Sequence, residues 1–260
     1  MVDLTKGFYF SYRYPLSHCV QHNILVQAHD CPSQPQEMFV WNSYLLSEFS
    51  LCVSSRWYCY LIHGVFLQQR CIQYSRQFQL TLIARRSRYS LYSIVNIRMY
   101  AGPRYLKRGI NDDGYVANEV EVETIIEDEE GHICSHVQLR GSIPGYWKQD
   151  VSVAVPRPPI QIVLNDPLCR TFTKHLSLLL QRYSAPIQVF DLVKMKEKHP
   201  RESLVCDLLR ESCSFVNKQM PTGMKITYWH IDFADIAKRS SVENPLLHDI
   251  LLYHSRMSLE

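Results

Sequence analysis

An α/β fold, α+β overall, with a β-rich first part and an alternating helix–strand second part, is what three features of this 260-residue sequence predict. Before about Ala84, short aromatic and β-branched runs are separated by polar loops, as in half-buried strands. Pro156-Arg157-Pro158-Pro159 then forms a stiff extended crossing. After Asp166, apolar residues recur at helical spacing between compact strand-like runs, which favours βαβ units and a parallel or mixed sheet.

Element by element, Phe8–Tyr12, Met38–Trp41, Trp57–Phe66 and Phe78–Ala84 read as strands, and Asp30–Gln36, with Pro32 and Pro35, as a loop. Asn111-Asp112-Asp113-Gly114 is a turn, and Cys134–Leu139 a strand stopped by Gly141 and Pro144. Asp166 can cap a helix with Pro167 in its first turn and Leu168, Phe172, Leu176, Leu179 and Leu180 as its apolar stripe. Ile187–Val193 is a strand after Pro186. Arg201–Gln219 is a helix with Leu204, Leu208, Phe215 and Val216 near one face. Met224–Trp229 is a further strand and Asn244–Tyr253 a third helix.

Composition sets limits. Hydrophobic residues make up 46% and charged residues 20%, which argues against disorder or a coiled coil. The apolar stretches Tyr58–Leu67 and Leu176–Leu180 fall short of the ~18 residues of a membrane span. The opening Met-Val-Asp-Leu-Thr-Lys has no charged-then-apolar leader, and nine cysteines without CxxC pairs read as reduced thiols of an intracellular protein. The net charge of +3 hides a segregation. Seven basic residues and no acid lie between Arg85 and Arg108, and seven acids and no base between Glu119 and Glu130. Either the basic segment faces an anionic ligand, or the two runs are solvated faces that neutralise each other.

Chemical motifs are sparse. A thiol phosphatase needs Cys-x5-Arg curled at a helix N-terminus, where backbone N–H groups hold phosphate and lower the thiol pKa. Cys134-Ser-His-Val-Gln-Leu-Arg140 is the sole literal match, and its alternation without glycine reads as a strand, making it an accident of spacing. Cys206 and Cys213 can share a helix face, and His18 and His22 stand four apart, but neither pair has finger-type partners, so packing or surface roles are expected. Pro144-Gly145-Tyr146-Trp147 reads as a turn with core aromatics. Neither GxxxxGK[ST], GxGxxG nor GxSxG occurs. Asp232, at the end of the Met224–Trp229 strand, suits an acid or a cap for Phe233–Lys238. Arg104, Lys107 and Arg108, flanked by Gly102 and Gly109, suit an anion.

Several segments in order resemble the Sac-domain phosphoinositide phosphatases. They are Lys6–Tyr12, Phe39–Asn42, Leu82–Ser87 with Ala101–Gly109, Val116–Glu121, and Val137–Gln149. Pro158–Ile160, Asp166-Pro167, Gln181–Ile187, Leu192–Lys194 and Tyr228–Asp232 are similar to the branch that acts on phosphatidylinositol 3,5-bisphosphate. The resemblance implies the C-terminal part of a β-rich N-terminal subdomain over residues 1–77 and the first part of an α/β catalytic subdomain over 78–260. It implies a 5-phosphatase with a cysteine nucleophile, at the cytoplasmic face of endosomal, lysosomal or vacuolar membranes. It further implies a complex with the lipid 5-kinase and a helical-repeat scaffold, and a magnesium requirement in the full-length relative; a third reading of the basic segment, a nucleic-acid patch, is opposed by the absence of any RNP-like or zinc motif.

Departures qualify that picture. The family's Cys-x5-Arg loop should follow Asp232, and the residues to Glu260 do not contain it, so the reading expects an incomplete, truncated domain with no catalytic residue of its own and no cofactor or metal. Tyr89–Met99 interrupt the basic signature, and Val122 and Thr124 replace residues the family pattern would have. Expected roles are accessory anion contacts for Arg104, Lys107, Arg108 and Arg140, with Asn118, Glu119 and Glu121 organising the basic segment. The competing expectation is a non-catalytic fragment that binds phosphoinositide or protein.

Overall fold

The computed structural model describes residues 7–28, 34–73, 76–87, 108–149, 159–193 and 202–232. They form two compact units, one built from the chain up to Arg108 plus Tyr115–Ser142, the other from Gly109–Gly114 plus the chain from Ile143 on. The expected partition near residue 77 falls inside a strand hairpin. The mixed α/β class holds.

The first unit is an antiparallel five-stranded sheet in chain order: β1 (Phe8–Tyr9), β2 (Ile62–Gln73), β3 (Arg76–Arg86), β4 (Val120–Asp128) and β5 (Ile133–Arg140). The long β2–β3 hairpin runs from Gly64↔Arg85 to Ile72↔Gln77. Gly64 is required there, because a Cβ would lie 1.8 Å from the carbonyl oxygen of Ala84. Met38, Phe39, Ile62 and Ile83 form the apolar core, with Tyr9, Leu16 and Ile125 against it.

Three expectations need correction in this unit. Met38–Trp41 is not a strand: Glu37–Phe39 is a 3₁₀ turn in which the Phe39 N–H donates to Gln36 O and Val40 N–H to Glu37 O. Trp57 likewise belongs to a short 3₁₀ turn, and the strand starts only at Ile62. The region also contains two helices, α1 (Val20–Ala28) and α2 (Ser43–Cys52), in stretches read as loops between the strands. The N–H of Val20 at the start of α1 donates to the Glu123 carboxylate at 2.7 Å. That cap comes from a residue 103 positions away, so no local sequence signal announces it.

The second unit holds the antiparallel pair β6 (Trp147–Gln149) and β7 (Ile160–Ile162), then α3 (Arg170–Tyr183), β8 (Gln188–Asp191), α4 (Glu202–Asn217) and β9 (Thr227–His230). β8 and β9 pair in parallel, so β8–α4–β9 is the expected βαβ unit. Phe172 and Leu176 of α3 meet Leu209, Cys213 and Val216 of α4 and Ile226, with Leu180, Ile187 and Val189 packed around them. Asp166 caps α3 as expected: its Oδ2 accepts the Thr171 N–H and hydroxyl, each at 3.0 Å. The helix starts only at Arg170, so Pro167 precedes it and Leu168 is exposed rather than part of the stripe. On α4 the buried face is Val205, Cys206, Leu209, Ser212, Cys213 and Val216; of the expected stripe, Val216 is buried and Phe215 packs against the core, whereas Leu204 is exposed. Cysteine and serine are small enough to pack inward there, which rotates the stripe by one position. The Asn111–Gly114 turn closes as expected, with Gly114 N–H donating to Asn111 O at 3.1 Å. Trp147 is buried and its indole N–H donates to Ile143 O. The Asn244–Tyr253 helix and most of the Pro156–Pro159 crossing lie outside the described residues.

Candidate functional site

Cys134 and Arg140 stand at opposite ends of β5, paired with β4 along the whole strand from Glu127↔Ile133 to Val120↔Arg140. Six extended steps separate their Cα atoms by about 20 Å. The intervening backbone groups serve the sheet and cannot converge on a phosphate. As a phosphate-binding loop, this match is an accident of spacing.

The charge segregation has a structural answer inside the first unit. Register places Arg85 opposite Glu121 and Ile83 opposite Glu123, putting the odd-numbered acids of β4 on the same face as Arg85. Arg85 is fully buried; its Nη1 donates to Glu121 Oε1 and its Nη2 to Glu123 Oε2, both at 2.6 Å. Nε donates to Leu16 O at 2.6 Å and Nη2 to His18 O at 2.8 Å. Glu123 Oε1 accepts from Val20 N–H and, at 2.8 Å, from the Ser135 hydroxyl. Glu119 is buried as well. One base of the run and three of its acids are thus buried rather than solvated, whereas Glu129 and Glu130 are exposed and Arg88, Arg98, Arg104 and Lys107 lie outside the described residues. Burial costs the guanidinium, yet the two carboxylates outweigh it and hold the Arg85 pKa above its ordinary value. This cluster ties the 16–20 segment to the sheet.

Of the expected anion contacts, Arg104 and Lys107 lie outside the described residues. Arg108 is half-buried, and Arg140 is exposed at the last position of β5. Asn118 adopts a positive φ of 57°, in the turn that leads into β4. Asp232 follows β9 by two residues and is half-buried; Phe233–Lys238, the helix it was to cap, is outside the described residues.

The second unit assembles a polar group at the carboxyl ends of its two parallel strands, where α/β sheets present ligands. Asp191 closes β8 and His230 closes β9, and they are register partners. Asp191 is buried and accepts from Val193 N–H at 3.0 Å and from the Tyr228 hydroxyl at 2.8 Å. Burial, then the Asp191 bond, raises the Tyr228 pKa above its usual value. Burial, then Asp191, also pushes the Cys206 thiol up to about 11, so it is a neutral thiol at physiological pH. The Tyr146 hydroxyl, pushed up to about 12 by burial and then by its hydrogen bond to Asp112, is likewise protonated.

Among the described residues, two groups offer three metal-type ligands: Asp191, Cys206 and His230, and Asp128, Glu130 and His132 on an exposed turn. Neither fits magnesium, which takes an octahedron of oxygens. The first has one oxygen-bearing ligand, and in the second Asp128 is occupied holding its own turn through Glu130 N–H, His132 N–H and the His132 ring. Sequence reading singled out Cys206 only as a helix-face neighbour of Cys213 and missed Asp191 and His230. The signal available was a polar residue closing each of two strand-like apolar runs.

Comparison with known proteins places this geometry in context. The chain is 39% identical over 247 residues to phosphatidylinositol-3-phosphatase SAC1 of Arabidopsis thaliana, covering 92% of this chain and 26% of that protein. It is 39% identical over 254 residues to the polyphosphoinositide phosphatase of Schizosaccharomyces pombe, covering 92% and 29% respectively. Phosphoinositide phosphatase SAC5 of Arabidopsis thaliana is 37% identical across 100% of this chain and 32% of that relative. The chain thus spans roughly a quarter to a third of the length of these curated relatives. The SacI homology domain profile matches residues 1–238. The chain belongs to the SacI homology domain family.

Proposed function

We propose that this chain is a portion of a phosphoinositide phosphatase, contributing lipid-headgroup recognition to a domain whose nucleophile is not Cys134. The observation that carries the reading is the family match across residues 1–238 joined to the extended geometry of Cys134–Arg140. A phosphocysteine mechanism requires a thiolate in line with phosphorus and a ring of N–H donors on the departing charge. An exposed strand cysteine about 20 Å from its arginine supplies neither.

The substrate we propose is phosphatidylinositol 3,5-bisphosphate, hydrolysed at the 5-phosphate in the full-length protein. The Schizosaccharomyces pombe relative is called a polyphosphoinositide phosphatase, while the first Arabidopsis relative is called a 3-phosphatase. The inositol ring product therefore has to be resolved by position. In this reading Arg104, Lys107 and Arg108 contact the headgroup, Arg140 adds positive charge nearby, and Asp232 is a candidate acid. Residence on endosomal, lysosomal or vacuolar membranes, a helical-repeat scaffold and a lipid 5-kinase as partners, and magnesium in the full-length protein, belong to the same proposal. Among the described residues, no helix is long and apolar enough to cross a membrane, which is compatible with peripheral attachment.

Vesicle flotation tests the binding half of the proposal. Vesicles carrying phosphatidylinositol 3,5-bisphosphate should retain the chain in preference to neutral vesicles and to RNA at matched salt, since both anionic surfaces attract basic protein. Arg104→Ala with Arg108→Ala should weaken retention about tenfold or more, in line with about 1.5–3 kcal/mol for a charge-assisted hydrogen bond. Unchanged retention would remove the basic segment from the site. Binding without any phosphate release would favour the non-catalytic alternative for the isolated chain.

A further inference from the structure

The group at the carboxyl ends of β8 and β9 has features that a structural hydrogen-bond network does not need. Asp191, Cys206 and His230 come from three successive elements of the βαβ unit, and their ligand atoms all lie within 4.8 Å of one another. Asp191 and Cys206 are each only 2% exposed. Among the described residues, the Val193 N–H and the Tyr228 hydroxyl donate to Asp191.

The imidazole is already oriented. His230 Nε2 lies 2.9 Å from the Val193 carbonyl oxygen, which can only accept, so Nε2 donates to it. A second ring nitrogen tied to a backbone carbonyl is the usual arrangement around a metal-bound histidine. Tyr228 stands beside the group, its oxygen 3.7 Å from Cys206 Sγ and 2.8 Å from Asp191 Oδ2, as an outer partner that can hold a carboxylate in place.

We propose that Asp191, Cys206 and His230 form a mononuclear site for a zinc-like divalent metal ion that locks β8, α4 and β9 together. One sulfur, one nitrogen and one oxygen ligand select a borderline-soft ion over magnesium or calcium. Tetrahedral zinc, with bonds of about 2.0–2.3 Å, holds its ligand atoms about 3.3–3.8 Å apart, so a small contraction of the present group is enough. On binding, the Cys206 S–H bond breaks, its proton passes to solvent, and a metal–sulfur bond forms. The thiolate and the Asp191 carboxylate together balance the two positive charges. This site is independent of the anion contacts proposed above.

The test uses the 260-residue chain stripped with chelator and titrated with Co²⁺ alone, then with Zn²⁺ alone. The expected result is one equivalent of Co²⁺ with a thiolate-to-cobalt charge-transfer band in the near ultraviolet, bleached by Zn²⁺, together with a Zn²⁺-dependent rise in the melting midpoint. Cys206→Ser and His230→Gln should each lose the band, whereas Cys134→Ser, altered at an exposed cysteine of the other unit, should keep it. Wild-type protein that gives no band, or a Cys206→Ser variant that retains it, overturns the proposal. If Cys206→Ser fails to fold by circular dichroism, the wild-type band and its loss in His230→Gln decide the matter.

Discussion

The two units bury polar groups in opposite ways. In the first, one guanidinium and at least two carboxylates sit inside a sheet face beside a modest apolar core of Met38, Phe39, Ile62 and Ile83. In the second, a helix–helix core of Phe172, Leu176, Leu209, Cys213 and Val216 does the packing, and the buried Asp191 accepts from the Val193 N–H and the Tyr228 hydroxyl. The first unit depends on charge compensation, the second on apolar contact. A buried ion cluster adds little net stability over apolar side chains of the same volume, but it fails badly when one member is lost. An apolar core loses stability gradually, in proportion to the atoms removed.

The largest effect should therefore come from Arg85→Met, which strands Glu121 and Glu123 without a cation. A loss of about 3–5 kcal/mol is expected, read as a collapse of the urea midpoint. Replacing Arg85, Glu121 and Glu123 together by apolar residues of similar size should recover most of it. If Arg85→Met is tolerated, the contrast between the units disappears. Leu209→Ala in the second unit should cost about 2–5 kcal/mol and leave the first unit's hydrogen-exchange protection intact. Spread of that loss into β2–β4 would show that the units do not fail separately.

Smaller effects sharpen the comparison. Asp166→Ala removes the cap of α3 and should cost about 1 kcal/mol in the same melts. Burial opposes ionisation of Asp166, but the hydrogen bonds from Thr171 and Arg170 prevail and lower its pKa. Its stabilisation is thus present above the ordinary aspartate value near 4 and is lost as pH falls below it. His18 behaves differently. Burial lowers its pKa, with the Gln34 carbonyl opposing and His22 and Arg85 adding to the shift. A histidine held below its ordinary value near 6.5 stabilises the fold above that pH and ceases to do so on acidification. The first unit should weaken between pH 7 and pH 5.5, and His18→Gln should flatten that slope. A slope unchanged by the substitution would place the acid sensitivity elsewhere.

What the sequence revealed, and what it hid, follows the range of the forces involved. β3, β5, α3, α4 and the β8–α4–β9 unit were legible because periodicity and local caps such as Asp166 act over a few residues. α1 was not, since its cap is Glu123 on a distant strand. Nor was β4, where Glu121-Val122-Glu123-Thr124 alternates in a way that leaves either face free to turn inward. The choice is made by Arg85, which only the β3–β4 register brings opposite. Asp191 and His230 escaped for the same reason: parallel register joins positions separated by a whole helix. Cys134–Arg140, by contrast, was read correctly from its glycine-free alternation alone.

Phosphate release tests the central claim most directly. Purified 260-residue chain, beside its Cys134→Ser variant, would be given soluble phosphatidylinositol 3,5-bisphosphate and followed for inorganic phosphate, with the product's ring position assigned. The account predicts no release from either protein, because a strand cysteine cannot serve as the family's nucleophile. Release by the wild-type chain that Cys134→Ser abolishes would contradict it and would dismantle the β5 geometry on which it rests.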